Sequence, residues 1–342
     1  AEGGELNAYL MLGSMYIQGK GVPENPQEGA KWIELAADKG YVKAMSIIGD
    51  MYFIGHGVEK DIDKALAWLR KADAAGDADA AYSLAIYYAE DENYESALEY
   101  YESAYERGKF TKESLYYIGD CYYNGKGCDG DNDKAYPMLL RAAEMGHIDA
   151  QYLTGVCYYY GYGVSSDYYS AVKWYRLAAE AGHAAAANSL GYCYEYGYGV
   201  AQSATEAVKW YRKSAEGGNM YAQANLAQCY YNGYGVSVNH KECVKWARKA
   251  ADQGNRHGQF RLGYAYDEGL GVAKNYTEAK KWYEKAANQG HATAQHNLGV
   301  MYENGKGVKK NLSMAAYWFR QGAENGEELS VQALKWYDRN GY

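Results

Sequence analysis

Apolar residues return along this chain in short amphipathic runs of helical spacing. Leu190, Cys193 and Tyr194 share one face of a predicted helix, and Ala207, Trp210, Ser214 and Ala215 share the face of a second. Between the two runs stands Gly197-Tyr198-Gly199-Val200, and Gly218 closes the second. The arrangement then starts again. Gly-x-Gly-Val begins at Gly19, Gly55, Gly161, Gly197, Gly233, Gly269 and Gly305, with a Gly-x-Gly-Cys variant at Gly125. The step is 36 residues, except for a gap of 70 between Gly55 and Gly125 that holds one irregular repeat. In that repeat Glu90-Asp91-Glu92-Asn93 replaces the glycine loop.

Three columns accompany the loop. Tyr16, Tyr52, Tyr88, Tyr122, Tyr158, Tyr194, Tyr230, Tyr266 and Tyr302 precede it by three residues. Trp32, Trp68, Trp174, Trp210, Trp246, Trp282 and Trp318 follow its first glycine by thirteen, with Tyr100 and Met138 in the same slot of the two odd repeats. A glycine ends every repeat, from Gly40 to Gly326. Asn25, Asp61, Asp131, Asp167, Ser203, Asn239, Asn275 and Asn311 stand where the second helix opens, all of them types that accept from free helix N–H groups. Ser203/Glu206, Asn239/Glu242 and Asn275/Glu278 have capping-box spacing. Pro26 falls at a first helical position, whereas Pro137 falls inside a helix that it is expected to kink or fray.

These patterns predict an all-α chain, a right-handed α/α superhelical solenoid of about nine and a half 36-residue helix-turn-helix repeats. It forms one domain over 1–342, with repeats near 5–40, 41–76, 77–108, 109–146, 147–182, 183–218, 219–254, 255–290 and 291–326. The segment 327–342 reads as a capping helix, and 77–146 as the place where curvature changes.

Composition sharpens the functional reading. The chain has 342 residues, 40 glycines, 3 prolines and 41 tyrosines against 4 phenylalanines. Its net charge of −8 is spread along the sequence, with no basic block, which disfavours nucleic acid and favours a basic partner. No apolar run approaches the ~18 residues of a membrane span. No charged and then apolar leader opens the sequence, and Ala1-Glu2-Gly3-Gly4 reads as a processed terminus or a fragment edge.

The pattern Ala-x-x-x-Leu-Gly-x-x-Tyr-x-x-Gly-x-Gly-Val, followed by Lys-Ala-x-x-Trp-Tyr-x-x-Ala-Ala-x-x-Gly, resembles the Sel1-like repeat, a relative of the tetratricopeptide repeat. Leu190, Gly191, Tyr194, Gly197, Gly199, Val200, Ala207, Trp210, Tyr211, Ala215 and Gly218 carry it almost whole. The resemblance covers essentially the full chain. It implies an adaptor, since the family's members serve in bacterial envelopes and virulence, signalling and degradation at the endoplasmic reticulum. It leans towards a bacterial envelope or secreted protein and leaves the compartment unassigned.

The resemblance also implies that the first helix of each pair lines a concave face. Outside the packing columns those helices carry Tyr82, Tyr116, Tyr123, Tyr152, Tyr159, Tyr160, Tyr192, Tyr196, Tyr231, Phe260 and Tyr264, interleaved with acids such as Asp50 and Glu195. Such residues either pack between repeats or form a contact surface, because tyrosine joins a large rigid area to a hydroxyl. A tyrosine-rich acidic groove suits a protein or an extended, basic peptide. The same rings would stack on a cell-envelope glycan or peptidoglycan, which is the alternative. The loop residues Tyr162, Tyr198 and Tyr234 form a second stripe that also serves to cover neighbouring loops.

Candidate chemistry is sparse, and the chain is read as a non-enzyme without catalytic residues, metal or cofactor. Cys121, Cys157, Cys193 and Cys229 share one small apolar slot, and Cys243 takes an alanine position. A cysteine-rich subgroup of the family has disulfides with a seven-residue spacing. Cys121 and Cys128 match that spacing at a different place in the repeat, which argues against the subgroup and its penicillin-binding activity. Ser170-Ala171-Val172-Lys173 has the Ser-x-x-Lys pattern of penicillin-recognising enzymes without their companion motifs, so a hydrolase is the remote reading. His147, His183 and His291 follow repeat-end glycines, a loop slot shared with Tyr41, Asp77, Asn219 and Asn255. Asp129-Gly130-Asp131-Asn132-Asp133 lacks the later ligands of a calcium loop and reads as helix capping. Asn275 and Asn311 open formal glycosylation sequons, but each is also an N-cap.

Overall fold

A computed structural model describes residues 2–341, leaving Ala1 and Tyr342, the two ends of the expected span, outside the described residues. Nineteen α-helices follow one another and no strand is present among those residues. The first helices of the pairs (A helices) are α1(Glu2–Gln18), α3(Val42–Ile54), α5(Ala78–Glu90), α7(Lys112–Asn124), α9(Ile148–Tyr160), α11(Ala184–Tyr196), α13(Met220–Asn232), α15(Arg256–Glu268) and α17(Ala292–Asn304). The second helices (B helices) are α2(Pro26–Asp38), α4(Ile62–Ala74), α6(Tyr94–Glu106), α8(Asn132–Glu144), α10(Tyr168–Glu180), α12(Ala204–Glu216), α14(His240–Asp252), α16(Tyr276–Asn288) and α18(Leu312–Glu324). The chain ends in α19(Glu328–Arg339). The fold is an all-α solenoid. It divides into two compact units, 1–165 and 166–342.

The uniform helix length has a local cause. Every B helix from α2 to α18 opens on a side chain that accepts a backbone N–H, as Asn25 does from Glu28 and Ser203 does from Glu206. Most A helices stop at the first loop glycine, which is left-handed: Gly197 has φ +76 and its N–H returns to Cys193 O. The second loop glycine has a different duty. A Cβ on Gly199 (φ +66) would collide with the backbone carbonyl of Tyr168, the first residue of the preceding B helix. The Gly-x-Gly pair thus ends a helix and lets one repeat touch the last.

Two expectations are corrected here. The capping-box glutamates do not reach back to their caps. Glu206 and Glu242 pair instead with Lys209 and Lys245, and among the described residues the reciprocal box forms only at Thr111 and Ser114, where α7 begins. The lysine three residues on offers a full charge, while the N-cap N–H is already bonded, Ser203 N to Tyr194 O for example. Pro137 does not fray α8, which runs the same 13 residues as its neighbours. Its ring sits on the exposed side of the helix.

The core is built between helices. In the first unit Leu69, Leu84, Leu115, Ile118 and Leu139 are fully buried. In the second, Tyr211, Leu226, Leu262, Tyr283 and Leu298 are. The glycine after the A-helix leucine admits this packing: a Cβ on Gly191 would run into the ring of Tyr211, and one on Gly263 into Tyr283. Polar struts join successive repeats. Arg176, Arg212 and Arg248 donate to Tyr194, Tyr230 and Tyr266 of the next repeat at 2.6–2.7 Å, so the tyrosine column is a tie as well as a wall. At the end of the second unit, α19 buries Tyr337 against Phe319 and its hydroxyl donates to Glu303 at 2.8 Å.

Candidate functional site

The expected aromatic residues lie on the A helices of both units, and they fall into two kinds. In the second unit Tyr192 and Tyr196, one turn apart at the end of α11, are 40% and 52% exposed. Their rings lie 4.5 Å apart, and the loop residue Tyr198 stacks on both, at 6.1 and 6.0 Å. Glu195 is half-buried beside them. It accepts a 2.5 Å hydrogen bond from Tyr211, and its backbone carbonyl accepts one from Tyr234 of the next repeat at 3.2 Å. The pair pushes the Tyr211 phenol far up, first through burial and then through the carboxylate. Tyr234 therefore reaches back to the last turn of α11 in the preceding repeat. A recess of about 250 Å³ opens there, lined by Glu195, Asn225, Gln228, Cys229, Asn232, Gly233 and Tyr234.

Further along the same unit, Tyr231, Phe260 and Tyr264 gather around Arg261. Its guanidinium lies 4.1 Å from the centroid of Tyr231, 5.5 Å from Phe260 and 5.9 Å from Tyr264, and it donates to Gln228. Phe260 also stacks on His291 at 4.4 Å. The Tyr264 phenol is pushed up to about 12 by its hydrogen bond with Tyr231 and by burial. These three aromatics are packed around a cation of the chain itself.

In the first unit Tyr160 is 61% exposed and stacks on Tyr162 at 5.5 Å, with Tyr159 4.8 Å away. Tyr82, Tyr116, Tyr123, Tyr152 and Tyr159 are half-buried. Tyr116 stacks on His147 at 4.2 Å and Tyr82 shares a hydrogen bond with Thr111 at 3.2 Å. Burial pushes the phenols of Tyr116 and Tyr123 up to about 12. Tyr160, Tyr192 and Tyr196 are thus the rings that present open surface, while most of the others serve packing as well.

The remaining candidates resolve into structural roles. Burial pushes the thiols of Cys157 and Cys243 up to about 11 and those of Cys121, Cys193 and Cys229 up to about 12, the opposite of what a nucleophile needs. All six cysteines are free. Ser170 donates to Asp167 Oδ2 at 2.6 Å, a bond that holds the carboxyl below its ordinary range, and the pair forms the start of α10. Asp131 accepts from Asp133 and Lys134 N–H as a cap, and Asn275 and Asn311 cap α16 and α18. Among the described residues no group of three or more His, Cys, Asp or Glu is placed to hold a metal ion. No helix is long and apolar enough to cross a membrane.

Two sets escaped the sequence reading. His147, His183 and His291 are N-caps, their Nδ1 accepting from Ala150, Ala186 and Ala294. Asp77, Asn219 and Asn255 in the same column were the available signal, since all three are ordinary cap residues. The second set is a buried amide ladder. Gln223, Gln259 and Gln295 donate to Ala215, Ala251 and Ala287 carbonyls, and accept from Gln253, Gln289 and Asn325 at 2.8–3.0 Å.

Helix pairs joined by a repeated glycine hinge, each stacked on the next, define an α-helical repeat solenoid. The Sel1 repeat profile matches residues 6–41, 42–77, 78–109, 112–147, 148–183, 184–219, 221–255, 256–291 and 292–327, and the chain belongs to the Sel1 repeat family. Proteins of this family generally act as protein-interaction scaffolds, without enzymatic activity. A protective antigen present in uropathogenic Escherichia coli strains and displaying an SLR fold is similar in structure. It shares 32% identity at a TM-score of 0.69, covering 98% of this chain and 81% of that one. A Sel1 repeat protein from Oxalobacter formigenes shares 28% identity at a TM-score of 0.58, covering 98% of this chain and 88% of that one. No curated protein matches the chain.

Proposed function

We propose that this protein is a non-enzymatic scaffold that holds a protein or extended peptide against the A-helix faces of its repeats. The exposed pair Tyr192 and Tyr196, stacked with half-buried Tyr198 beside the Glu195 recess, is the observation that carries this reading. A-helix neighbours approach each other directly where α3 meets α5 and where α13 meets α15. Rigid, partly exposed tyrosines at low entropic cost are the side chains that dominate protein interfaces. The net charge of −8 favours a basic partner.

The glycan reading draws on the same rings but has less support from their arrangement. Stacking on a sugar needs an open ring face, and Tyr192, Tyr196 and Tyr198 turn much of theirs towards each other.

The test is affinity capture from the native organism's lysate by wild-type protein and a Tyr192→Ala/Tyr196→Ala variant. Both residues are exposed, so folding changes little. A captured protein should fall by roughly tenfold or more with the variant. Equal capture removes this surface from the proposal. Binding on a saccharide array that the variant abolishes would replace the protein with a glycan.

A further inference from the structure

The first unit contains a recess that no motif announced. It lies between α3 and α5 and encloses about 440 Å³, within the range of sites that hold a small group. Ile47, Phe53, Ile54 and Ile86 form its apolar walls. Asp50 projects from α3 at a repeat position where the other A helices carry Ser14, Ile86, Val156, Tyr192, Gln228, Tyr264 and Val300, and Asp120 alone repeats the acid.

Two acids and two lysines line the recess, Asp50, Asp79, Lys43 and Lys109, and it is Asp50 whose charge lacks a close partner. Asp50 is largely removed from water, and burial raises its carboxyl above the ordinary range, with Asp79 and Asp77 adding to the rise. A hydrogen bond from Ser83 and the charge of Lys109 oppose it. Lys109, however, is committed to Asp79 at 2.5 Å. Lys43, seven residues earlier on α3, stands about 10 Å away along the helix axis. Among the described residues no cation pairs with Asp50 within 4.0 Å. A half-buried carboxylate beside apolar walls is costly to leave unpaired.

We propose that this recess takes a lysine or arginine side chain from an extended segment of the partner protein. The aliphatic stem covers Ile47, Phe53 and Ile86, and the cationic head reaches Asp50. Attraction is stronger there than between fully solvated charges, because the surroundings are less polarisable than water. A purely apolar side chain would fill the walls and leave Asp50 desolvated and unpaired. The proposal rests on the reading of the chain as a protein-binding scaffold and specifies the chemistry of one residue of the partner.

The chain's nine isoleucines all precede residue 149, three of them in this recess, and so their methyl groups are convenient reporters. The full chain, labelled at isoleucine methyls, is titrated with acetylated and amidated Gly-Gly-X-Gly-Gly peptides, where X is lysine, arginine or norleucine. The lysine and arginine peptides should move the methyl signals of Ile47, Ile54 and Ile86 and leave Ile33 and Ile118 in place. The norleucine peptide, which has the stem of lysine without its charge, should bind at least about tenfold more weakly. Asp50→Asn should weaken the cationic peptides by a similar factor, with unchanged Ile33 and Ile118 signals reporting the fold. Still methyls with both cationic peptides, equal binding of norleucine, or an unaffected Asp50→Asn variant would each overturn the assignment. The norleucine comparison needs no variant. Capture through Tyr192 and Tyr196 is read in the other unit, so either idea can fail alone.

Discussion

Glu92 adopts φ +56, the one positive φ at a non-glycine residue among those described, in the repeat whose glycine loop is missing. A side chain in the left-handed region costs roughly 1–2 kcal/mol, while Gly199 occupies the same region freely and in addition has no room for a Cβ. Opposite substitutions should therefore have opposite effects. Glu92→Gly should raise stability by about 0.5–1 kcal/mol after the entropy of the added glycine. Gly199→Ala should lower it by at least about 2 kcal/mol. Urea unfolding midpoints at constant m-value are the measurement. Residue-level reading succeeded where one residue type has one physical use, as with the glycine loop and the buried cysteine slot. It was weaker for tyrosine, which serves struts, packing and open surface alike. Sequence spacing did not separate exposed Tyr192 from Tyr264, which is packed against Arg261.

At the scale of the element, helix boundaries were legible because both ends are written in side chains: an acceptor at the start and a left-handed glycine at the end. The histidine caps were missed because histidine has many uses and caps only when neutral. His291 caps α17 through Nδ1, and burial, with help from His257 and Arg256, lowers its imidazole from 6.5 to about 4. The sign follows. The unfolded chain binds a proton near the ordinary value, while the folded chain resists it until about pH 4. The stability contributed by the neutral cap is complete above 6.5 and is lost as pH falls towards 4. His291→Asn keeps an acceptor without a titrating group, as Asn219 and Asn255 do in their repeats. The variant's Tm should gain on wild type as the pH is lowered through this window, and a constant difference would show that the cap does not titrate.

At the scale of the whole chain, stability depends on how well one repeat holds the next, because each 13-residue helix, about 20 Å long, is marginal alone. In the second unit the amide ladder supplies part of that hold. Gln259 is buried, donates to Ala251 O and accepts from Gln289. Gln259→Leu removes both bonds, while Ala251 O keeps the Gly254 N–H and Gln289 keeps the Gly254 carbonyl, and should cost about 1–2 kcal/mol. Loss should be local, with hydrogen exchange accelerating first in α15 and α16, since neighbouring repeats are coupled only through their interfaces. Uniform acceleration across the unit would contradict that. The sequence by itself determined the repeat, its helix pairs, the caps of the B helices and the family, because these depend on local backbone needs repeated many times. Only the tertiary structure decided which tyrosines stay open, how glutamines and arginines tie repeats together, and that Asp50 lies in an apolar recess. Those outcomes depend on residues 18 to 39 positions apart meeting across helices, a distance that a local pattern does not encode.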